Sequence, residues 1–164
     1  MRYGIIAEGI ADVYVIRNIL KYLIKVDNTD IYSIRPKEII DETDTSEMLF
    51  SNWELVMRTC ADTDILSAFF DSFEEEGVMI VQIDTAERSE TNYNIPQPIR
   101  TKNTDWTAYS ETLRQAVKAK LEAYIPAQYR CKMIYAIAIE ETDAWLIPIF
   151  RKSYNDTSAL ENPK

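Results

Sequence analysis

The chain has 164 residues, a length typical of a single domain. Apolar residues make up 46% and charged residues 27%, the composition of a folded globular protein rather than of a disordered or fibrous one. No apolar run approaches the roughly 20 residues needed to cross a bilayer. Glu8 also interrupts the first apolar stretch where a signal peptide would continue. We therefore expect a cytoplasmic protein that does not enter the membrane.

The ionisable residues exclude several kinds of active site. The chain contains no histidine, which excludes Ser-His-Asp and Cys-His catalysis and every histidine-ligated zinc centre. Its 2 cysteines are too few for a disulfide framework or a cysteine-rich zinc site. The net charge of -9 repels a polyanion, so a nucleic-acid partner needs a local basic patch or a bound divalent cation.

The apolar pattern in the first part of the chain alternates between strand-like and helical spacing. A short apolar run at 2–7 predicts a buried strand, and Gly9 marks the turn that follows it. Apolar residues then recur every three or four positions, which predicts a helix over 11–26. A second strand is expected at 30–35, where Pro36 ends it.

The middle of the chain combines a polar loop with two helices and the most apolar strand. Residues 37–50 are rich in charged residues and threonine, which indicates a loop. A helical pattern follows at 52–60, and another begins at Asp62 or Thr63, either of which is a good capping residue. The apolar run 78–83 predicts a central strand.

The last third begins with a polar stretch at 85–104, which is too long for a tight connection. Loops of this length inside a compact domain are often functional or mobile. A helix over about 106–124, capped by Asp105, leads to an apolar strand at 133–139. A further helix is expected at 142–152.

The alternation of apolar strands with helices indicates an α/β fold. Uniformly apolar strands are typical of a mainly parallel sheet that is covered by helices on both faces, here with about four strands. We assign residues 1–152 to one α/β domain and residues 153–164 to a polar C-terminal tail.

Acidic residues follow three of the four predicted strands. Glu8 follows the first strand, Asp84 the central one, and Glu140, Glu141 and Asp143 the last. Because parallel strands end at the same edge of a sheet, we expect Glu8, Asp84 and at least one of the last three to cluster there. Such a cluster needs a counter-cation, and an all-oxygen site favours Mg²⁺ or Mn²⁺. The alternative is that these acids are solvated loop residues.

The order of these motifs resembles the Toprim domain of topoisomerases, primases and the nucleases associated with overcoming-lysogenization-defect ATPases. The shared features are a strand that leads through Glu8 and Gly9 into a helix, and a later apolar strand that ends in an aspartate. The segments 81–85 (VQIDT) and 143–148 (DAWLIP) further resemble a group of Toprim-related bacterial proteins of uncharacterised function. The resemblance covers most of residues 1–150 and implies a Toprim/Rossmann-like fold.

The chain departs from the family pattern at two acidic positions. The family has an Asp-x-Asp motif, but this chain has Ala86 where the second aspartate belongs, beside the longer Glu87. Asp143 stands where the group usually has a glutamate, which keeps the charge and shortens the reach. Relatives of this group usually continue beyond the last helix, which implies that the sequence ending at Lys164 is a fragment or a shortened member.

The resemblance implies metal-dependent hydrolysis of phosphodiester bonds. Asp84 and Asp143 would hold Mg²⁺ or Mn²⁺, with Glu87 or Glu141 as further ligands. Glu8 would act as a general acid and base or as a metal ligand. The setting implied is a bacterial or phage-defence system in which the nuclease works beside an ATPase partner.

Four basic residues are candidate contacts to the phosphates of a nucleic acid. Arg100 and Lys102 lie in the long polar loop, while Arg114 and Lys118 are one turn apart on the predicted 106–124 helix. The alternative is an ordinary solvated face, which charged residues on a helix commonly form.

Two other functions compete with the nuclease. The first is a non-catalytic interaction module that keeps the Toprim shape and binds an ATPase or another protein through residues 85–104 and 38–47. The loss of the second acid at Ala86 favours it. The second is a phosphoacceptor receiver domain, which usually needs an acidic pair after its first strand and a lysine after its last. Glu8 is followed by glycine and Glu140 by another glutamate, so neither requirement is met.

Overall fold

A computed structural model describes residues 1–37, 52–71, 76–96 and 98–140. The predicted helix 142–152, the predicted tail 153–164 and nearly all of the predicted loop 37–50 lie outside the described residues. So do Glu141 and Asp143.

Four strands form one parallel sheet, which confirms the predicted α/β class. In chain order they are β1 (Arg2–Ile6), β2 (Ile31–Arg35), β3 (Gly77–Asp84) and β4 (Met133–Ala138). Their order across the sheet is β2-β1-β3-β4. Since β1 pairs with β2 on one side and with β3 on the other, the strand order changes direction between β1 and β3.

The described residues contain four α-helices, and polar side chains fix where three of them begin. The helices are α1 (Ile10–Ile19), α2 (Trp53–Ala61), α3 (Thr63–Phe70) and α4 (Trp106–Tyr124). The side chain of Asn52 caps α2, that of Asp62 caps α3 and that of Asp105 caps α4, each by accepting from backbone N–H groups of the first turn. Two short 3-10 helices cover Asn28–Asp30 and Ala127–Lys132.

The first predicted helix differs from the expected 11–26 span. The α-helix ends at Ile19 and continues as a π-helical turn over Leu20–Ile24. Lys25 ends this turn in the left-handed conformation, with φ of 64°. The amide of Lys25 donates to the carbonyl of Leu20, which is the hydrogen-bond spacing of a π-helix. The same carbonyl accepts from the amide of Val26 at 3.1 Å, beyond the left-handed Lys25. A strictly periodic reading of the apolar residues does not predict such a turn.

The described residues fall into two compact units. The first contains residues 1–83 and 121–136, and the second has its described residues within 84–120 and 137–140. The apolar core of the first unit joins β1, α1, β2 and β3 through seven buried side chains: Ile5, Ala7, Val13, Ile16, Leu20, Ile31 and Ile80. Within the described residues, no helix is long and apolar enough to span a bilayer.

Candidate functional site

Two of the predicted acids follow the two strands where the sheet order changes direction. Glu8 is the second residue after the end of β1, and Asp84 is the last residue of β3. β1 and β3 are parallel neighbours, with Ile6 in register with Val81. In open parallel sheets, ligands bind beyond the carboxyl ends of the strands at this kind of switch point.

Gln82 fixes the chain as it leaves β1. Its side chain is fully buried in β3, and its Oε1 accepts a hydrogen bond from the backbone N–H of Glu8 at 2.9 Å. Burying a side-chain amide costs free energy unless its polar atoms are hydrogen-bonded. The contact with Glu8 meets this need for Oε1 of Gln82, and it holds the backbone of Glu8 beside β3. In the sequence, Gln82 is recognisable as a single polar residue within the apolar run of β3.

The turn after β3 is held by Asp84 itself and by a tyrosine. One carboxylate oxygen of Asp84, Oδ1, accepts from the backbone N–H of Ala86 at 3.0 Å. The hydroxyl of Tyr93 donates to the backbone carbonyl of Asp84 at 2.7 Å. Ala86 and Glu87 are both exposed on this turn. Asp84 therefore has a structural role in addition to the metal-binding role that the sequence predicts.

Two arginines surround the carboxylate of Glu140, and we call Arg88, Arg100 and Glu140 the arginine–glutamate cluster. Nη1 of Arg88 lies 3.0 Å from Oε2 of Glu140, and Nη2 of Arg100 donates to Oε1. The exposed fractions of the three side chains are 9% for Arg88, 24% for Arg100 and 16% for Glu140. The cluster thus holds two positive charges and one negative charge with little access to water.

The backbone around the cluster is also fixed. The hydroxyl of Thr85 accepts from the amide of Glu140 at 2.7 Å, while Nη1 of Arg88 donates to the carbonyl of Thr85. Thr85 is fully buried. Glu140 itself adopts the left-handed conformation, with φ of 68°. The turn after β3 and the residues after β4 are therefore joined by both side-chain and backbone contacts.

Aromatic residues of α4 position Arg100. Its Nε donates to the hydroxyl of Tyr109 at 2.9 Å, and its guanidinium lies over the rings of Tyr109 and Trp106, 5.1 and 6.0 Å from their centroids. Burial opposes the charged form of Arg100. The hydrogen bond to Tyr109 and the charge of Glu140 outweigh burial and raise the pKa of Arg100 above its ordinary value. Arg100 is therefore a cation at every accessible pH.

The described residues do not make a metal site on their own. Among them, no three histidine, cysteine, aspartate or glutamate side chains are grouped so that they could hold a metal ion. The carboxylate of Glu140 is bound by two guanidinium groups, whose charges repel a cation. The other predicted ligands beyond β4, Glu141 and Asp143, lie outside the described residues. A site with three such ligands would need at least one residue from outside the described ranges.

The four basic residues predicted to contact nucleic acid have different surroundings. Arg100 belongs to the arginine–glutamate cluster. Lys102 is exposed in the loop that precedes α4, and Arg114 is exposed on α4, where Lys118 is half-buried. That any of the four binds nucleic acid stays a prediction.

Sequence reasoning missed the residues that organise this region, namely Thr85, Arg88, Tyr93 and Tyr109. The length of the polar stretch at 85–104 indicates a functional or mobile loop, and its individual polar residues show no periodic pattern. Their partners lie in other segments, so the pairing depends on the tertiary fold.

A scan against protein-family models finds no match, and searches of curated proteins and of solved structures find none either. The resemblance to Toprim domains therefore rests on the motifs described above.

Proposed function

We propose that this chain is a Toprim-like nuclease domain or nuclease subunit that acts on phosphodiester bonds with Mg²⁺ or Mn²⁺. The observation that carries the proposal is the strand order β2-β1-β3-β4, in which Glu8 and Asp84 lie at the carboxyl ends of the two strands that flank the switch point. The same two residues are the ones that carry the Toprim resemblance. The proposed setting is a bacterial or phage-defence system with an ATPase partner.

The proposed ligand set combines described and undescribed residues. Asp84 ends β3 and Glu87 lies in the turn after it, while Glu141 and Asp143 would complete the set. A divalent ion held there would neutralise charge on the phosphate group. The roles of the chain's own residues follow from their contacts. Gln82 fixes the backbone at Glu8, the proposed general acid and base, and Asp84 shapes the turn that carries Ala86.

A non-catalytic interaction module is the second candidate function. The specific observation in its favour is that two arginines neutralise Glu140, an acid expected near the metal. Ala86 removes another acid from the family pattern. In this alternative the region after β3 serves to bind an ATPase or another protein rather than to hold a metal.

A divalent-metal titration followed by a cleavage assay tests the nuclease proposal. We expect Mn²⁺ to bind the wild-type protein and raise its melting temperature, because a ligand that binds only the native state stabilises it. Asp84→Asn should abolish this rise, although asparagine keeps the oxygen that accepts from the amide of Ala86. Asp105→Asn is the matched control, since asparagine caps a helix as well as aspartate does.

The missing acid gives a gain-of-function test of the same proposal. Ala86→Asp should raise the affinity for Mn²⁺ and increase the cleavage of a labelled oligonucleotide, because each carboxylate supplies much of the charge that holds the ion. If Ala86→Asp changes neither property and Glu87→Ala eliminates both, Glu87 is the replacement ligand. A wild-type protein that neither binds Mn²⁺ nor cleaves any nucleic acid, with or without Ala86→Asp, contradicts the nuclease proposal.

A further inference from the structure

The π-helical turn at the end of α1 leaves a run of consecutive residues exposed, from Lys21 to Lys25. Leu20, just before the run, is buried, and Val26, just after it, packs against the core of the first unit. A helix that lies against a sheet buries a side chain at about every third or fourth position. The run has no such buried position, so this turn projects from the surface of the first unit.

The middle of the run is apolar, and we call Tyr22, Leu23 and Ile24 the apolar tip. Their exposed fractions are 60%, 77% and 58%. Single apolar residues on a protein surface are common, whereas contiguous ones mark surfaces that bind a membrane, a protein or a ligand. Transfer of these side chains from water to an apolar medium is favourable. The tip is therefore a candidate binding surface.

The arrangement of the tip favours a lipid surface over the flat face of a protein. A helical turn contains about four residues, so three successive side chains point in different directions around it. A partner helix or sheet would cover only one of these directions. The interfacial region of a bilayer surrounds a turn that enters it and buries all three side chains at once.

The backbone of the turn suits the same environment. A segment that enters lipid must satisfy its own N–H and C=O groups, and a helical turn does so internally. Here the carbonyl of Leu20 accepts from the amides of both Lys25 and Val26, which closes the turn. Insertion of the tip therefore does not require these backbone groups to lose a partner.

Positive charge lies at both ends of the tip, on Lys21 and Lys25, although the whole chain has a net charge of -9. Nζ of Lys21 lies 5.4 Å from the centroid of the Tyr22 ring. Lysine side chains place their ammonium groups among lipid headgroups while their stems lie along apolar surface. Asp27, the next acid along the chain, binds the amide and hydroxyl of Thr29 and offsets part of the charge of Lys21. Because salt screens exposed charges beyond about 8 Å, the lysines beside the tip have more influence on a nearby headgroup than distant acids have.

We infer that the apolar tip inserts into the interfacial region of an anionic membrane, with Lys21 and Lys25 among the headgroups. Crossing a bilayer needs roughly 20 apolar residues, which this chain lacks, but binding at its surface needs only an exposed apolar segment with basic residues beside it. One turn buries little area, so the binding is weak and reversible. The inference does not depend on a metal, and it holds or fails separately from the proposed nuclease activity.

Co-sedimentation of the full chain with lipid vesicles, in the presence of EDTA, tests the inference. The wild type should bind vesicles made of equal parts of phosphatidylcholine and phosphatidylglycerol, and should bind pure phosphatidylcholine more weakly. Leu23→Ser should weaken binding by about tenfold, because serine removes most of the apolar area buried at this position. Lys25→Gln should weaken binding to the mixed vesicles by about fivefold and leave binding to pure phosphatidylcholine unchanged.

Ile99→Ser and Lys102→Gln are the matched controls. Ile99 is 87% exposed and Lys102 is also exposed, but both lie in the loop before α4. Each control variant should bind vesicles as wild type does. Absence of binding by wild type, or equal losses in the test and control variants, overturns the inference.

Fluorescence distinguishes insertion from adsorption by charge alone. In Leu23→Trp, the emission of the added indole should shift to shorter wavelength when the mixed vesicles are added, because the ring leaves water. Ile99→Trp should show no such shift. Binding of Leu23→Trp to the vesicles without a shift would mean that the tip stays in water, which overturns the inference.

Sedimentation equilibrium without vesicles tests a second copy of the chain as the occupant of the tip. Both wild type and Leu23→Ser should have the mass of one chain. A wild-type dimer that Leu23→Ser dissociates would show that the tip is covered by another copy, and the membrane inference would then be wrong.

Discussion

The two compact units each bury an arginine but satisfy it with different groups. In the first unit, Arg2 is 4% exposed, donates to the backbone carbonyl of Phe69 at 2.9 Å and lies over the Phe69 ring, 5.1 Å from its centroid. In the second unit, Arg88 is 7% exposed and is paired with the carboxylate of Glu140.

The kind of partner, neutral for Arg2 and charged for Arg88, determines how each site responds to a mutation of the arginine. A carbonyl and an aromatic face are neutral, so loss of Arg2 leaves no buried charge behind at these contacts. Arg88 and Glu140 are both charged, so loss of one leaves the charge of the other less neutralised inside the protein.

The largest effect is expected from Arg88→Met. This variant removes one of the two cations that bind Glu140 and the donor to the carbonyl of Thr85. We expect the free energy of unfolding to fall by about 3 kcal/mol, at the low end for breaking a buried ion pair because Arg100 still neutralises Glu140. Urea unfolding followed by fluorescence measures this change.

The double variant Arg88→Met with Glu140→Leu sharpens the test. Replacing both partners of a buried pair by apolar groups is commonly less harmful than removing one. The double variant should therefore lose less stability than the sum of the two single variants. Strict additivity of the two changes indicates that the pair does not interact energetically.

An intermediate effect is expected from Gln82→Met in the first unit. Methionine fills a similar volume but leaves the amide of Glu8 without its 2.9 Å acceptor. We expect a loss of about 2 kcal/mol, the usual cost of an unsatisfied buried polar group. Hydrogen exchange at the Glu8 amide should also accelerate. Gln115→Met, at an exposed position of α4, is the control and should change neither quantity. Unchanged exchange at Glu8 in Gln82→Met counts against the contact.

A smaller effect is expected from Arg2→Met, the counterpart of Arg88→Met. The lost hydrogen bond and ring contact are offset in part because a buried charge is removed at the same time. We expect a loss of about 1 kcal/mol, clearly below that of Arg88→Met, in the same urea experiment. Equal losses for the two arginines would refute the comparison between the units.

The smallest structural effect concerns Cys60, which shows a third way of keeping an ionisable group buried. Burial raises the pKa of its thiol to about 12, so the group stays neutral. A raised pKa contributes stability that is fully present below the pKa of the unfolded thiol and is lost as the pH rises through 9 to 12. At pH 8 a thiol reagent should label the exposed Cys131 rapidly and Cys60 only after unfolding. Rapid labelling of both would contradict the burial of Cys60.

The strands were predictable as continuous apolar runs, and most helices from apolar residues at helical spacing. The strand at 78–83 and the capping residue Asp105 both follow from local chemistry, and both are confirmed. The arginine–glutamate cluster was not predictable, because Glu140 lies 52 residues from Arg88 and 40 from Arg100. The residues next to each of them in the sequence do not indicate which distant residue is its partner. For the same reason, the sequence shows Gln82 as a polar residue in an apolar strand but does not show that it binds the backbone of Glu8.

The left-handed backbone at Glu140 has a consequence for how this position tolerates mutation over time. Most residues with a Cβ are strained there by about 1 kcal/mol relative to glycine, and asparagine is strained less than most, so selection for stability alone favours glycine or asparagine. A glutamate is favoured there only if the ion pairs of its carboxylate stabilise the fold by more than the backbone strain destabilises it. Glu140→Gly should consequently unfold less readily than Glu140→Ala, although both lack the carboxylate. The gap between these two variants measures the backbone strain separately from the ion pairs.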